Sequence, residues 1–357
     1  MSESVRVGLI FGGRSPEHDV SILSARNVAA ALADAGHTVV PIRIDRAGRW
    51  TVEDVEGGLP DEPGAGRPLL FAGEATGRLL AQSADGPLAE VEVDVAFPVL
   101  HGTNGEDGRV QGLLETLGVP YVGPDVLSSA VCMDKDVAKR LLDHAGLPVA
   151  KWVAVGAGRP APSFGDLARR LGTPLFVKPA NSGSSVGVTK VETADALGPA
   201  IKTALRYDRT ALVEEAVKGR EIEVAVLGNE EPRASVPGEI VSTSTFYDYD
   251  AKYLDADAAR MEVPADLPGG VADRVRELAV KAYGVLGCEG LARVDFFVAH
   301  DGRVLVNEVN TIPGFTARSM YPVMWERTDL PAPALADALV RLALERHRRN
   351  AALATSR

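Results

Sequence analysis

"RVDFFVAHDGRVLVNEVN", residues Arg293 to Asn310, has the outline of a β-hairpin but carries acids where a core strand should be apolar. Its turn signal is Asp301-Gly302, a dipeptide that favours a tight two-residue loop. Such a loop predicts that His300 pairs with Arg303, Val298 with Leu305, Asp295 with Glu308 and Arg293 with Asn310. Directly opposed residues share a face, with Cβ atoms about 4.5–5.5 Å apart. Arg293, Asp295, Glu308 and Asn310 then form one polar patch. Two carboxylates held that close repel by roughly 3–4 kcal/mol at an effective dielectric of 20. Something must neutralise them.

Two carboxylates beside an asparagine amide make a set of hard oxygen ligands suited to Mg²⁺, which keeps several waters and usually binds together with substrate phosphates. The alternative is a rim hairpin whose acids face water or pair with Arg293 alone. Farther back, "KPANSGSSVGVTK" follows a strand with a loop of small polar residues. Backbone N–H groups and hydroxyls of such a loop can gather around an anion, with Lys178 as point charge. No Gly-Lys-Ser/Thr follows its glycines, so it is not a Walker A loop. "GLIFGGRSPE" likewise lacks the G-x-G-x-x-G spacing of a dinucleotide site. "VEEAVKGRE" offers Glu221 as an acceptor for ribose hydroxyls and main-chain groups for adenine, though a connector glutamate is more often simply solvated. "FYDYDAKYLDADAAR", Phe246 to Arg260, is polar, aromatic and without a core pattern, which fits a lid over a site or a plain surface excursion. His101 ends a strand, where α/β sheets place ligand contacts. Glu17, in the first β-to-α loop, would repel a phosphate and suit an amine.

The 357 residues allow two or three domains, and 46% hydrophobic with 24% charged residues is ordinary for a soluble globular chain. A formal charge of −11 argues against a nucleic-acid surface. The two cysteines, Cys132 and Cys288, have no metal-ligand spacing and read as free buried thiols of a reducing compartment. The N-terminus shows no secretory pattern, and no apolar run approaches the ~20 residues that span a bilayer, so the expectation is a cytoplasmic protein. The basic "LERHRRN" suits the end of a helix. "VRVGLIFGG", a helix from about Asp19 to Ala35 and "TVVPIRI" open the chain as β-α-β. "VEVDVAFPVL" is a further strand after a loop from Gly57 to Pro68. A helix covers Leu127 to Ala145, another Gly270 to Leu286, and a last one Ala332 to Arg348. The fold class expected is a doubly wound, Rossmann-like α/β unit with a parallel sheet over 1–126, then α+β units over 127–219 and 220–357.

In order along the chain, "FGGRSPEHDVS", "HGTNGEDG", "MDK", "VKPANSGSSVG", "FYDYDAKY", "ARVDFF" and "NEVNTIPGFTARSMYP" resemble the D-alanine–D-alanine ligases of the ATP-grasp superfamily. The resemblance runs from the first strand to about Leu342. It implies ATP-dependent joining of two D-alanines through a D-alanyl phosphate, for peptidoglycan precursor synthesis, with ATP between the central and C-terminal units. It implies that Lys135 and Lys178 contact the phosphates, with Ser184 and Ser185 in the phosphate loop. Glu214, Glu215 and Val217 match the adenine-contacting connector, and Glu221 the ribose contact. Many members carry Lys at the place of Glu215, so a role there would be through its main chain. Asp295, Glu308 and Asn310 match the ligands of two Mg²⁺ (or Mn²⁺) ions, Glu308 bridging both. Glu17 matches the residue that holds the first D-alanine's ammonium. Arg293 and the Gly314 N–H match the groups that stabilise the tetrahedral oxyanion, and Ser319 with the Met320 main chain the second carboxylate's pocket. Ser184 and Tyr253 match a hydrogen-bonded pair that Glu17 completes. Ligases making D-alanyl-D-lactate lack the "KY" pair present here as Lys252-Tyr253. A D-lactate or D-serine ligase is the near alternative; a non-catalytic nucleotide sensor and a dinucleotide oxidoreductase are the distant ones. A homodimer through the N-terminal unit is also implied, with neither nucleic acid nor membrane as partner.

Overall fold

The computed structural model describes residues 4–53, 59, 66–71, 77–82, 86–242 and 259–354. The lid segment with Lys252 and Tyr253, and most of the Gly57–Pro68 loop, lie outside them.

The opening β-α-β is present as β1 (Arg6–Gly12), α1 (His18–Asp34) and β2 (Thr38–Ile44). β3 (Trp50–Val52), β4 (Arg67–Phe71), β5 (Leu79–Gln82), β6 (Leu88–Val91) and β7 (Val95–Val99) complete a sheet of order β6-β5-β4-β3-β2-β1-β7. Only β2, β1 and β7 run parallel, while β3 to β6 pair antiparallel. The parallel sheet expected here is therefore a mixed one. "VEVDVAFPVL" is two strands, because Glu92–Asp94 turns the chain from the antiparallel extension into the parallel centre.

β1 is buried on both faces, as a central parallel strand should be. Val7, Leu9 and Phe11 meet α1 and the C-terminal helix Ala332–Ala351, while Ile10 meets the far layer that includes Val110 and Leu114 of α2 (Arg109–Leu117). The first and last parts of the chain thus share a core: Val28 and Leu32 of α1 pack in one cluster with Leu335, Leu339 and Trp325. Each such side chain removed from water contributes about 1.5–3 kcal/mol.

The helix expected over Leu127–Ala145 is two: α3 (Val126–Met133) and α4 (Lys135–His144). Asp134 between them is extended (φ −86°, ψ 98°), and its carboxylate accepts from the N–H groups of Asp136 and Val137 as an N-cap. The break puts Lys135 on the first turn of α4, its own N–H 3.1 Å from the Ala180 carbonyl. β8 (Trp152–Gly156), α5 (Phe164–Leu171), β9 (Leu175–Pro179), β10 (Thr189–Val191), α6 (Ala194–Ala204) and β11 (Thr210–Glu215) follow. Their strands form an antiparallel sheet of order β10-β9-β11-β8.

The third sheet has the order β15-β14-β12-β16-β17, from β12 (Gly219–Gly228), β14 (Gly238–Ser242), β15 (Ala259–Glu262), β16 (Gly290–Ala299) and β17 (Val304–Asn310), with β13 (Arg233–Ala234) paired on β12. Ile222, Val224, Val294, Phe296 and Val306 turn one face onto α4 and the helix Val271–Val285. Alternation sends Glu223, Arg293 and Asp295 to the other face. Cys132 and Cys288 lie in this core with sulfurs 3.6 Å apart and no disulfide, the free buried thiols expected.

Candidate active site

The acids of the hairpin meet as the pairing arithmetic requires, but by another route. Arg293 opposes Asn310 and Asp295 opposes Glu308, whereas Val298 opposes Val304 and not Leu305. The loop has three residues: Ala299 donates to the Arg303 carbonyl, and Gly302 stands at φ +87°, where a side chain would be strained. A bulge between Asp295 and Phe296 then restores the register for the polar end. Two one-residue departures cancel.

β12 adds what the hairpin alone does not show. Glu223 opposes Asp295 and Ala225 opposes Arg293, so Glu223, Asp295 and Glu308 form a row of carboxylates across three strands. Arg293 donates from Nε to Asp295 Oδ1 and from Nη2 to Oδ2, both at 2.7 Å, and its Nε lies 3.0 Å from Glu223 Oε2. Asn310 Nδ2 donates to Asp295 Oδ2 at 2.9 Å. Lys135 Nζ sits 3.3 Å from Glu308 Oε2 and donates to the Ser182 carbonyl at 2.7 Å. Burial works against the Arg293 charge, but Asp295, Glu223 and Glu308 hold its pKa well above the ordinary value. Among the described residues two cations, Arg293 and Lys135, lie within 4 Å of these three carboxylates, and Lys178 acts on Glu308 from farther off.

Beside it lies a cluster of opposite balance. Glu214, buried at the end of β11, accepts from Lys139 Nζ at 2.7 Å and pairs with Lys178 Nζ at 2.8 Å. Burial alone would raise the Glu214 pKa; the two ammoniums overcome it and bring it down to about 2. Burial also pulls the Lys139 ammonium down against the pull of Glu214. For Lys178, burial is outweighed by Glu214 and Glu308, and its pKa is raised. Lys139 further lies 5.4 Å from the centre of the Trp152 ring. Glu215 is engaged elsewhere: its carboxylate accepts from the Lys151 N–H at 2.8 Å and pairs with Arg303 at 3.4 Å. Val217 is half-buried in the connector and Glu221 is exposed near the start of β12.

The loop after β9 closes over this region. Ser184 (φ 49°) and Ser185 (φ 58°) are left-handed, a conformation that side chains seldom adopt and that clusters at functional sites. The turn brings the Ser184 hydroxyl onto Glu17 Oε1, joining the phosphate-type loop to the start of α1. Tyr253, expected as the third member, lies outside the described residues. Behind Glu17, Ser15 Oγ accepts from the Glu17 N–H and donates to the His101 carbonyl. The His101 ring is buried between Ser24 Oγ (3.1 Å) and the Ile312 carbonyl (3.0 Å), and burial lowers its pKa. Glu106 accepts from the N–H groups of Gly102 and Ile312, and burial with the nearby Glu17 charge pushes its pKa up to about 8. Gly314 and Ser319 are neighbours, a Cβ on Gly314 falling 2.9 Å from Ser319 Oγ, and Ser319 Oγ accepts from the Thr316 N–H at 2.9 Å.

Glu17, Ser184, Arg293, Lys135, Lys178 and the Asp295–Glu308–Asn310 patch are thus linked through short contacts or shared neighbours. Sequence reading missed Lys139, Glu223 and Glu106. Lys139 is one helical turn from Lys135, and Glu223 two residues from Glu221, so both patterns were visible. Neither says which acid or lysine is buried.

Residues 6–124 match the family described as D-ala D-ala ligase N-terminus, and residues 141–341 that described as D-ala D-ala ligase C-terminus. The chain belongs to the D-alanine–D-alanine ligase family. Within that family it is 50% identical to the D-alanine–D-alanine ligase A of Chromobacterium violaceum, over 99% of this chain and 98% of the relative. Among solved structures it is similar to the D-alanine-D-alanine ligase from Coxiella burnetii (TM-score 0.86, 40% identity, 98% of this chain and 97% of that one). It is also similar to the VanG D-Ala:D-Ser ligase from Enterococcus faecalis (TM-score 0.84, 36% identity, 96% and 100% covered). A ligase of this family needs an acceptor for phosphate and a holder for an amine within reach of one another. Here the Ser184 hydroxyl joins the loop after β9 to Glu17 at the start of α1.

Proposed function

We propose that the protein joins two D-alanines to D-alanyl-D-alanine with ATP, forming ADP and phosphate through a D-alanyl phosphate. The observation that carries this reading is the junction of the acid row with the lysine cluster: Lys135 touches Glu308, and Lys178 lies between Glu214 and Glu308 in charge. A negative patch for cations adjoins a positive one for phosphates, as ATP in an ATP-grasp fold requires. The units 1–126, 127–219 and 220–357 would then be the N-terminal, central and C-terminal parts of that fold, the first a Rossmann-like one.

Asp295, Glu308 and Asn310 fit divalent ions. Their oxygens are hard donors, Asp295 and Glu308 are opposed on one face, and both side chains keep some access to solvent. Among the described residues no three of His, Cys, Asp and Glu gather into a protein-only cage, which matches an ion completed by water and phosphate. Two Mg²⁺ ions, or Mn²⁺, held there would supply charge neutralisation at the transferred phosphoryl group.

The chain's own residues do the rest. Lys135 and Lys178 hold phosphate oxygens. Because the carboxylates of Glu214 and Glu215 are taken by lysines, Lys151 and Arg303, adenine contacts from 214–217 run through the main chain, with Val217 packing and Glu221 accepting from the ribose. Glu17 holds the first D-alanine's ammonium, and Ser184 with Tyr253 ties that grip to the loop. Arg293 and the Gly314 N–H stabilise the oxyanion formed when the second amine attacks. Ser319 and the Met320 main chain receive the second carboxylate. A homodimer through the N-terminal unit completes the reading.

The test is phosphate release from ATP and Mg²⁺ on adding D-alanine to folded protein; no release rejects the reading. Supplying D-serine or D-lactate as the second substrate at neutral pH decides product choice, and preferred formation of either mixed product would replace the dipeptide assignment.

A further inference from the structure

Glu223 has no part in the chemistry above, yet it is among the most buried acids of the chain, 5% exposed and directly opposite Asp295. Arg293 stands between the two carboxylates: Nε is 2.7 Å from Asp295 Oδ1 and 3.0 Å from Glu223 Oε2. Nε carries a single hydrogen, and it is donated to Asp295, which also takes a second bond from Nη2. The Glu223 contact is therefore an ion pair standing beside a bond that Asp295 holds. The two acids differ in place. Asp295 has Glu308 and Asn310 as neighbours on the cation-binding side, whereas Glu223 lies on the opposite flank, next to Arg293.

We propose that Glu223 is the positioning residue that holds Arg293 when the Asp295 carboxylate turns to a divalent ion. This rests on the reading of Asp295 as a metal ligand. Arg293 Nε, Arg293 Nη2 and Asn310 Nδ2 already take three of the about four lone-pair sites of the Asp295 carboxylate, so a metal ion there competes with these donors. A buried guanidinium that lost its hydrogen-bonded carboxylate would be strongly disfavoured, and without Glu223 the more distant Glu308 charge would be left to offset that loss. With Glu223 Oε2 already 3.0 Å from Nε, the same N–H turns to that carboxylate. Arg293 keeps its place beside the reacting carboxyl, and Asp295 is released at lower cost. Arg293 is the direct hydrogen-bond partner of the proposed ligand, a kind of group that commonly sets ion affinity, and Glu223 acts through it.

The experiment is an equilibrium titration of Mn²⁺ with ADP, free ion followed by its electron paramagnetic resonance signal, on the wild-type protein and on Glu223→Gln and Glu223→Asp. No turnover is involved. The expected result is about tenfold weaker Mn²⁺ binding in Glu223→Gln and an intermediate loss in Glu223→Asp, whose carboxylate is withdrawn by one methylene. A lower kcat with an unchanged KM for ATP should accompany it. Wild-type affinity for Mn²⁺ in Glu223→Gln overturns the proposal even if that variant is less stable or less active, since a plain structural counter-ion would give that pattern. Should Glu223→Gln not fold, the same reading is taken from Glu223→Asp, and wild-type affinity there overturns it equally. Failure of the ligase reading shows separately, as wild-type protein that binds Mn²⁺ and ADP but releases no phosphate on adding D-alanine.

Discussion

The two charged clusters that meet at Lys178 are built from the same residue types and do opposite things. Around Glu214 a single buried carboxylate is enclosed by two ammoniums. Along Glu223, Asp295 and Glu308 three carboxylates have Arg293 and Lys135 as close cations among the described residues, and Asp295 and Glu308 keep some access to solvent. The enclosed cluster fixes the frame and sets Lys178 in place for a phosphate. A charge-deficient, half-open one leaves a place for ions that arrive with a substrate. Difference in local balance and access, more than residue identity, separates scaffold from site.

That contrast is broken most severely at Glu308. Glu308→Gln removes the charge shared by the ion ligands and Lys135, and turnover in a coupled ATPase assay should fall by about 10³-fold, while the melting curve stays that of wild type. Near-normal activity would mean the row is a surface feature. In the closed cluster the same kind of change should act on stability. Glu214→Gln leaves Lys139 and Lys178 without their shared anion in a dry setting, at a cost of about 3–5 kcal/mol in urea unfolding. Adding Lys139→Met should return part of it. A loss below about 1 kcal/mol would show that Glu214 is solvated.

The pH dependence of the two acids with large shifts runs in opposite senses. The Glu214 pKa lies at about 2 in the fold against its ordinary 4.5. Its contribution is complete above 4.5 and fades as pH falls toward 2, so Glu214→Gln should flatten the acid limb of stability against pH. Glu106 is the reverse, at about 8 in the fold. The folded chain holds a proton that the unfolded chain releases above 4.5, so its contribution is complete below 4.5 and is lost as pH rises through 8. Glu106→Gln, which mimics the protonated acid, should flatten the decline between those values. A parallel curve would show Glu106 ionised throughout.

How much of this the sequence discloses depends on the range of the forces involved. The pairing of Asp295 with Glu308 follows from strand alternation, a local rule. That it survives a three-residue loop is owed to the bulge next to Asp295, which belongs to a strand paired on both sides. Local turn preference cannot foresee it. Asp134 illustrates a signal present but hidden: its neighbours keep an amphipathic pattern, so the helix reads as continuous, and only the cap geometry shows the break that brings Lys135 to the Ala180 carbonyl. The helix Ala194–Ala204 carries Gly198 and Pro199 in its interior, which blurs the helical pattern there. Glu223 and Glu221 have identical alternation, and depth alone, which the third sheet and its neighbours decide, makes one buried and one exposed.

The smallest effect expected is at Glu215, where residue type and position pull apart. As an acid beside the proposed nucleotide it is unfavourable, and a lysine there would be better. The structure removes the conflict, because its carboxylate is turned onto the Lys151 N–H and Arg303 and away from the Glu214 cluster. Arg303 is half exposed, so that ion pair is screened and contributes at most about 1 kcal/mol. Glu215→Ala should therefore change the KM for ATP by less than about threefold, since main-chain contacts are kept. A tenfold rise would place the carboxylate in nucleotide binding and would mean that the hairpin turn carrying Arg303 moves when ATP arrives. Glu215→Lys distinguishes the two outcomes further: if the side chain faces the nucleotide, affinity rises with the new charge, and if it faces Arg303, the like charges cost stability and leave affinity where it was.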